Sequence, residues 1–600
     1  MGKKLKYYLS ILTISAIIFT GCGSSQDNQS ELSAGSTGNQ TETLAGDTDV
    51  QEESDTAAAS QVVVDTEFTA NDLEVGYEES TAVNITLGDG GINVSGDGAD
   101  VKDNVVTITG EGTYVLSGSI SNGQIVVDAG DSDKIHIILN GISVTCPENA
   151  PIYIKNADKV FITLNEGTEN TLTDGSEYVQ TDDNNVDGVI FSKADLTING
   201  SGTLIITGNY KHGIASKDDL VITGGTYHIT AAKDALNGKD CVKIKDGTFN
   251  LSAETGNGIQ SKNGDDATKG YVYVAGGDIT VSKSREGIEG TVILIEDGTI
   301  HITAEDDGFN AASGSSETTE DPVANTGTDI GNGERPAEMP DLRNREEPDT
   351  ASDSTSGTDT TGTVTGGVSD GAKETADMPA DDITGGIVSE TAETDSQRPG
   401  RPEGGDFKGG FGGGFGGGGG FEADTNCYIS ITGGTVYINA SGDGIDSNGA
   451  LTVSGGNIYV SGPVNNGNGA LDYNGTADIT GGTVIAVGSS GMAQGFSDTS
   501  TQYSLLYNLT AVSDAGTEVK LTDEEGNVVA SYTPDKEYQS VVISTPELKK
   551  DGIYTLTCGE QTAQITLSSV VTSNGQQGMG GGPGGGGRRR EAGQASSDNP

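Results

Sequence analysis

The sequence contains no tryptophan and few basic or apolar residues. Its 600 residues include 32 Lys and Arg against 89 Asp and Glu, and 33% are hydrophobic. The absence of Trp excludes the flat indole platform that many cellulose-binding modules present to sugar rings. The net charge of −57 argues against a nucleic-acid partner, because that affinity depends on Lys and Arg neutralising phosphates. So few apolar residues also exclude a large helical core, which leaves a disordered acidic chain or a thin, Gly-rich β architecture.

Cysteine is scarce as well, with five residues in the chain. Four of them are far apart in the sequence and form no CxxC motif: Cys146, Cys241, Cys427 and Cys558. Neither a disulfide framework nor a Cys-ligated metal site is therefore indicated.

The N-terminal segment has the pattern of a secretory signal. Three lysines precede an apolar run, Tyr7–Phe19, that is shorter than a membrane span of about 20 residues. Thr20-Gly21-Cys22 resembles the bacterial lipobox, which implies removal of residues 1–21 and a lipid on Cys22. The protein would then be extracellular and held to the bacterial membrane only by that lipid. The alternative is an ordinary signal peptide with an incidental cysteine. Residues 22–60, rich in Ser, Thr, Gln, Asp and Gly, are predicted to be a disordered tether.

A segment of about 22 residues repeats through the middle of the chain. Each copy places a Gly turn between two short runs of alternating apolar residues, as in Val221–Ile229 (VITGGTYHI). The second residue of each turn is Gly225, Gly247, Gly277, Gly298, Gly434, Gly456 or Gly482. Such a short period is typical of stacked coils, in which neighbours share one continuous core and Gly permits the bend at the corner. The sequence therefore predicts an all-β fold, a right-handed parallel β-helix (a solenoid).

The repeat is interrupted once and is followed by a different kind of segment. The gap between Gly298 and Gly434 exceeds one coil by about 114 residues, and the excess, residues 313–426, has low complexity. We predict a long disordered insertion that loops out of one coil, between β-helix segments at 61–312 and 427–500. Residues 501–570 are predicted to form a small C-terminal β cap over the open sheet edge, and residues 571–600 a disordered tail.

Four segments before the repeat carry a resemblance to a known family. They are Gly123–Gly130 (GQIVVDAG), Leu139–Ile142 (LNGI), Asn149–Ile154 (NAPIYI) and Glu169–Gly175 (ENTLTDG). They resemble the clostridial carbohydrate-binding domain family of secreted β-helix proteins, and the similarity extends over residues 83–495 apart from the insertion. The resemblance implies a calcium-containing parallel β-helix that binds cellulose and acidic, pectin-like polysaccharide, with distant kinship to β-helical pectate lyases.

An oxygen-bearing residue follows each second strand of the repeat, and another often comes three positions later. In a parallel stack, equivalent residues lie about 4.8 Å apart, which matches twice the calcium–oxygen distance of about 2.3–2.6 Å. Without a cation, stacked carboxylates would repel one another. The alternative is an Asn/Asp ladder that closes the corners through side-chain-to-backbone hydrogen bonds. The most acidic coils contain the predicted calcium ligands: Glu286, Glu289, Asp306, Asp307, Asn310, Asp443 and Asp446.

Two further sets of residues recur at equivalent positions of successive coils and are candidates for glycan binding. His301, Tyr437 and Tyr459 are predicted to point outward on successive coils, where aromatic rings could stack on sugars or simply reflect the preference of Tyr for strands. A second column consists of Lys217, Lys239 and Lys262. These lysines could bind sugar carboxylates or serve as the base of a lyase, or they could neutralise neighbouring acids.

Together these patterns favour a non-catalytic cell-surface lipoprotein that binds polysaccharide, cellulose or an acidic pectin-like glycan, on a calcium-stabilised β-helix. A calcium-dependent polysaccharide lyase and a structural stalk or adhesin are the alternatives. For an acidic glycan, calcium would bridge two negatively charged partners, whereas neutral cellulose requires no bridge.

Overall fold

The computed structural model describes residues 61–314 and 423–575. These residues form strands, turns and loops, and none of them forms an apolar helix of the length needed to cross a membrane. The predictions for the signal segment, for Cys22 and for the tether lie outside the described residues. So do those for residues 315–422 of the insertion and 576–600 of the tail.

The first ten strands lead into the regular part of the fold. They are β1 (Val83–Leu87), β2 (Asn93–Val94), β3 (Ala99–Lys102), β4 (Val105–Ile108), β5 (Gly112–Ile120), β6 (Gln124–Asp128), β7 (Lys134–Cys146), β8 (Ile152–Asn156), β9 (Lys159–Leu164) and β10 (Glu169–Asp174). The long strand β7 pairs in parallel with both β9 and β10, and β6 pairs in parallel with β8.

The next strands are short and regular. They are β11 (Gly188–Ser192), β12 (Asp195–Gly200), β13 (Thr203–Gly208), β14 (His212–Ser216), β15 (Asp219–Ile222), β16 (Thr226–Ala231), β17 (Leu236–Gly238), β18 (Cys241–Ile244), β19 (Thr248–Ala253), β20 (Ile259–Ser261), β21 (Tyr271–Val274), β22 (Asp278–Lys283), β23 (Ile288–Gly290), β24 (Val292–Ile295), β25 (Thr299–Ala304), β26 (Phe309–Ala311), β27 (Tyr428–Ile431), β28 (Thr435–Ala440), β29 (Ile445–Ser447), β30 (Ala450–Val453), β31 (Asn457–Ser461), β32 (Leu471–Tyr473), β33 (Ala477–Ile479) and β34 (Thr483–Gly488).

From β8 to β31, each strand pairs in parallel with the strand three positions further along the chain, and the last such pair is β31 with β34. Three columns of strands result: the first column from β9 to β33, the second from β10 to β34 and the third from β8 to β32. We call one strand from each column a rung. The prediction of an all-β fold is confirmed, and the parallel pairing gives long sheets as expected.

Alternation along each strand explains the core. In β16, Tyr227, Ile229 and Ala231 are buried, whereas His228 and Thr230 are exposed. Equivalent residues on successive rungs bury the same positions, so the inward Val, Ile, Leu and Phe side chains form one continuous cluster. Burial contributes about 25 cal/mol per Å² of apolar surface, which a single rung cannot obtain without neighbours.

The rungs remain in register across the insertion. Strand β24 pairs with β27, and β26 pairs with β29, although 116 residues lie between Ala311 and Tyr428. The amide of Gly308 donates a hydrogen bond to the carbonyl of Asp443 at 3.0 Å. The Asp307 rung is therefore stacked directly on the Asp443 rung.

The C-terminal strands continue the second column and then cover its outer face. They are β35 (Ser504–Ser513), β36 (Val519–Thr522), β37 (Val528–Tyr532), β38 (Tyr538–Ser544), β39 (Ile553–Cys558), β40 (Gln561–Thr566) and β41 (Val571–Gly575). Strand β38 pairs antiparallel with β34, which covers the edge of the last rung. Strands β36, β37, β39 and β40 form a separate antiparallel sheet, whose Val519 and Leu521 pack with the outward Ile485 and Val487 of β34.

Residues 61–76, which we call the strap, form no rung, and the first strand begins only at Val83. The strap crosses the outer face of the first column, where Tyr428 donates a hydrogen bond to the Val62 carbonyl at 2.9 Å. Asp72 forms an ion pair with Lys159 at 2.9 Å and accepts a hydrogen bond from Thr197 at 2.6 Å. These polar contacts place the segment on the surface of the sheet, so the stack of rungs starts later than the predicted boundary at residue 61.

All four cysteines in the described part of the chain are free and buried.

Candidate functional site

The corner between the second and third columns carries an ordered series of oxygen-bearing side chains. We call this series the turn column; successive rungs contribute Asp234, Asn257, Glu286, Asp307 and Asp443. Each of three side chains accepts a hydrogen bond from the backbone of the next rung: Asp234 from Asn257 N at 2.9 Å, Asn257 from Glu286 N at 3.1 Å, and Asp307 from Asp443 N at 2.6 Å. The corner-closing ladder considered as an alternative is therefore present, and it uses one oxygen of each residue.

A second series lies three residues further along, on the outer face of the third column. We call it the strand column; pairing in register places Asn237, Gln260, Glu289, Asn310, Asp446 and Asp472 on successive rungs. The two columns run side by side, so the predicted calcium ligands of the acidic rungs are neighbours in space.

Carboxylates of the two columns, together with Asp306, form two clusters that share Asp307. One contains Glu286, Asp306 and Asp307, and the other contains Asp307, Asp443 and Asp446. Within each cluster the oxygen atoms lie within 4.8 Å of one another. That separation suits oxygens bound to a single calcium ion, whose ligands lie at about 2.3–2.6 Å from the metal.

Burial and the repulsion between neighbouring carboxylates raise the pKa values of these groups. Burial, reinforced by the charge of Glu289, raises the pKa of Glu286 to about 8. Burial and the neighbouring Asp306 raise the pKa of Asp307 to about 7, and burial with Asp307 raises the pKa of Asp446 to about 8. Burial raises the pKa of Asp443 less, to about 6. An added positive charge would favour full ionisation of these carboxyl groups at neutral pH.

Two buried oxygens at the site have no hydrogen-bond partner within the described residues. They are Oε2 of Glu286 and Oδ1 of Asn310. A buried oxygen without a partner costs free energy, and both oxygens are of the type that calcium prefers. The residues present thus fit the calcium that the family resemblance implies.

Glu289 differs from the other predicted ligands. The side-chain amides of Asn257 and Gln260 both donate to its Oε2, and Lys262 forms an ion pair with its Oε1. Both oxygens already have donors, so we leave Glu289 out of the ligand set that we propose below.

The turn column extends back by one rung, to His212, which the sequence patterns did not single out. There His212, with its side chain nearly inaccessible, lies 3.0 Å from Asp234 and 3.8 Å from Asp187. Burial alone would raise the pKa of Asp234, but its electrostatic and hydrogen-bond interactions with His212 and hydrogen bonds from Asn257 and Asn237 lower it to about 2. The available signal was His212-Gly213-Ile214, which has the spacing of the acidic turns but begins with a base.

The sequence analysis also did not include Asp472 among the candidate ligands, because its turn matches the pattern only in part. It pairs in register with Asp446, and burial raises its pKa. Its turn reads Gly469-Ala470-Leu471-Asp472, which keeps the second oxygen-bearing position of the pattern but has Gly at the first.

The predicted aromatic column is one continuous stack on the outer face of the second column. His301 lies 4.6 Å from Tyr437, and Tyr437 lies 5.0 Å from Tyr459, with interplanar angles of 10° and 14°. Tyr532 of β37 then covers Tyr459 at 5.3 Å. Because the rings face one another, the aromatic ladder (His301, Tyr437 and Tyr459) presents mainly ring edges and polar atoms to solvent.

Each lysine of the predicted column contacts a carboxylate. Lys217 lies 3.0 Å from Asp187, Lys239 lies 3.6 Å from Asp265, and Lys262 pairs with Glu289. This arrangement agrees with the interpretation that the lysines neutralise neighbouring acids.

Part of the chain is similar to proteins described as containing a carbohydrate-binding domain. The model of a family described as carbohydrate-binding domain-containing protein matches residues 102–392. A carbohydrate-binding domain-containing protein of Acetivibrio thermocellus is 41% identical over 137 residues, which is 22% of this chain and 48% of the relative. The chain thus spans about half the length of that curated relative.

A solved structure, that of a polysaccharide lyase-like protein from C. thermocellum in a gadolinium derivative, is 33% identical with a TM-score of 0.37. The match covers 39% of this chain and 97% of that one. The residues that the family model matches, 102–392, include the His212, Glu286 and Asp307 rungs.

Proposed function

We propose that this protein binds polysaccharide without cleaving it, on a right-handed parallel β-helix that holds calcium at its acidic rungs. The observation that carries the proposal is the pair of carboxylate clusters on adjacent rungs, within a chain similar to carbohydrate-binding domain-containing proteins. Cellulose and acidic, pectin-like glycans are the polysaccharide classes that we propose.

The proposed ligand set consists of Glu286, Asp306, Asp307, Asn310, Asp443 and Asp446. Arg285 forms an ion pair with one member of the set, because its Nε lies 3.7 Å from the partly exposed Asp306. When bound, calcium would neutralise the clusters and could offer a coordination position to a sugar carboxylate. The protein residues would fix the spacing of the rungs and exclude water from Glu286 and Asp307.

We propose further that a lipid on Cys22 holds the protein at the bacterial cell surface. Metabolic labelling with a fatty-acid analogue tests this separately: label should enter the wild-type chain and be absent from Cys22→Ser. Labelling of both chains, or of neither, would contradict the assignment.

Sedimentation with insoluble polysaccharide tests glycan binding. The full chain is mixed with cellulose or with a pectate gel, in calcium or in chelator, and we expect retention on at least one of them. Retention on pectate should fall in chelator, because a polyanion needs a cation bridge. Failure to bind any glycan would contradict the proposal, and release of unsaturated product from pectate would show a lyase instead.

Calorimetric titration tests the metal site. Asp443→Asn with Asp446→Asn should abolish at least one calcium-binding event that the wild type shows. The matched control is Asp97→Asn with Asp100→Asn, which removes the same charge from exposed positions far along the chain from the clusters. Equal calcium binding by both double variants would contradict calcium at these rungs.

A further inference from the structure

We infer that a neutral, hydroxyl-rich linear glycan lies lengthwise in the groove at the Gly corner between the first and second columns. This inference rests on the proposed polysaccharide binding and assigns it to a different face from the acidic clusters. It also selects a neutral glycan over a polyuronate for that face.

The groove crosses several rungs and has a volume of about 500 Å³. Its floor is formed by corner glycines, and its wall by residues of one in-register column: Asp278, Thr299, Thr435 and Asn457. A long, shallow depression parallel to the stacking direction suits an extended polymer better than a compact small molecule.

The backbone conformation at the floor of the groove requires glycine, which has no side chain. Gly298 has φ of +108°, and a Cβ at this position would lie 2.7 Å from the carbonyl oxygen of Gly277. A side chain here would be strained and would clash, so the fold itself keeps the floor open to a ligand.

The groove and the aromatic ladder form one surface. Thr299 and His301 are alternate residues of β25, as Thr435 and Tyr437 are of β28, so each pair points to the same outer face. A glycan in the groove would meet ring edges and hydroxyl groups along one side. Tyr437 is 36% exposed and is the most accessible ladder tyrosine.

The charges of the groove select its occupant. Asp246, Asp278 and Asp297 line it and are exposed, and its lining includes no Lys or Arg. One oxygen of Asp246 and one of Asp297 accept a hydrogen bond from the following Gly amide at 2.8 Å, which leaves their other oxygens for ligand hydroxyls. The same carboxylates would repel a polyuronate.

Binding of cellohexaose and of hexagalacturonate to the full chain tests the inference. Thr435→Phe places a bulky, strand-compatible side chain in the groove and should weaken cellohexaose binding about tenfold or more. Thr226→Phe is the matched control, because Thr226 occupies the same column outside the groove. Calcium binding should be unchanged in both variants.

A second variant tests whether the groove carboxylates repel an acidic glycan. Asp278→Asn with Asp297→Asn should raise hexagalacturonate binding relative to cellohexaose, because the repulsion falls while hydrogen-bonding groups remain. Equal cellohexaose binding by Thr435→Phe and Thr226→Phe, or loss only in Asp443→Asn with Asp446→Asn, would overturn the groove while leaving the proposed function intact. Absence of binding to any polysaccharide would instead overturn the proposed function.

Discussion

The two ends of the turn column have the same backbone but opposite charge arrangements. At one end, His212 lies between Asp187 and Asp234, and Lys217 also contacts Asp187. At the other end, Asp307, Asp443 and Asp446 approach one another, and no described basic side chain forms an ion pair with any of them. Stacking in register thus creates the same corner on every rung. The residue on each rung decides whether the carboxylates there have a basic side chain of the protein beside them.

The pKa values of the two ends follow from that difference. With His212 beside it, Asp234 has a pKa lowered to about 2 although it is fully buried. Without a basic neighbour, burial and like charges raise the pKa of Asp446 to about 8. The acidic end therefore depends on protons or an external cation, whereas Asp234 has a basic side chain of the chain itself beside it.

We expect the largest loss of stability from removing His212. His212→Ala leaves Asp234 and Asp187 without their central base, so the free energy of unfolding should fall by about 3–5 kcal/mol in denaturant titration. Added calcium should not restore it. His228→Ala, at an exposed histidine of the second column, is the control and should change stability by less than about 0.5 kcal/mol. Recovery of His212→Ala in calcium would show that the two ends are not distinct.

The next effect concerns the acidic end. Calcium at about 100 times its dissociation constant should raise the free energy of unfolding by about 2.7 kcal/mol over the value in chelator. Asp443→Asn with Asp446→Asn should reduce this difference, because the neutral amides no longer need a cation, while the cluster of Glu286, Asp306 and Asp307 remains. A calcium effect of unchanged size in the double variant would place the ion elsewhere.

A pH titration sharpens the comparison from the His212 side. Because the pKa of Asp234 is lowered in the folded state, its contribution to stability is present above the unfolded pKa near 3.8. The contribution, about 2 kcal/mol, should be lost as the pH falls through about 2. Unfolding measured from pH 5 to pH 2 should show this loss in the wild type and a smaller one in Asp234→Asn. An identical acid dependence in both chains would contradict the assignment.

The smallest effect concerns the aromatic ladder beside the acidic rungs. Tyr437→Leu removes contacts with the rings of His301 and Tyr459, and it should lower the free energy of unfolding by about 1 kcal/mol. Thr280→Val, which lies next to His301 in the same column but has no ring to stack, should have almost no effect. If Tyr437→Leu is equally neutral, the stacking contributes nothing measurable to the fold.

The sequence predicted the strand periodicity and the columns because both depend on local alternation. Spacing of the Gly turns placed Glu289, Asn310 and Asp446 in one file, and the pairing register agrees. The strap was missed because residues 61–76 have no repeat of their own and acquire partners, such as Lys243 and Asn199, only from distant rungs. The orientation of the ladder rings was missed because spacing gives position but not the contacts between rings.

What the sequence alone determined is the all-β fold and which residues share a column, since a period of about 22 residues with apolar alternation buries a core only when coils stack. What the tertiary structure decided is the charge state of each corner. His212 and Asp443 occupy equivalent turns, but only the folded chain brings His212 against two aspartates and Asp443 against Asp307 and Asp446. Electrostatic free energies depend on distance and burial, and neither is encoded in the spacing of residues along the chain.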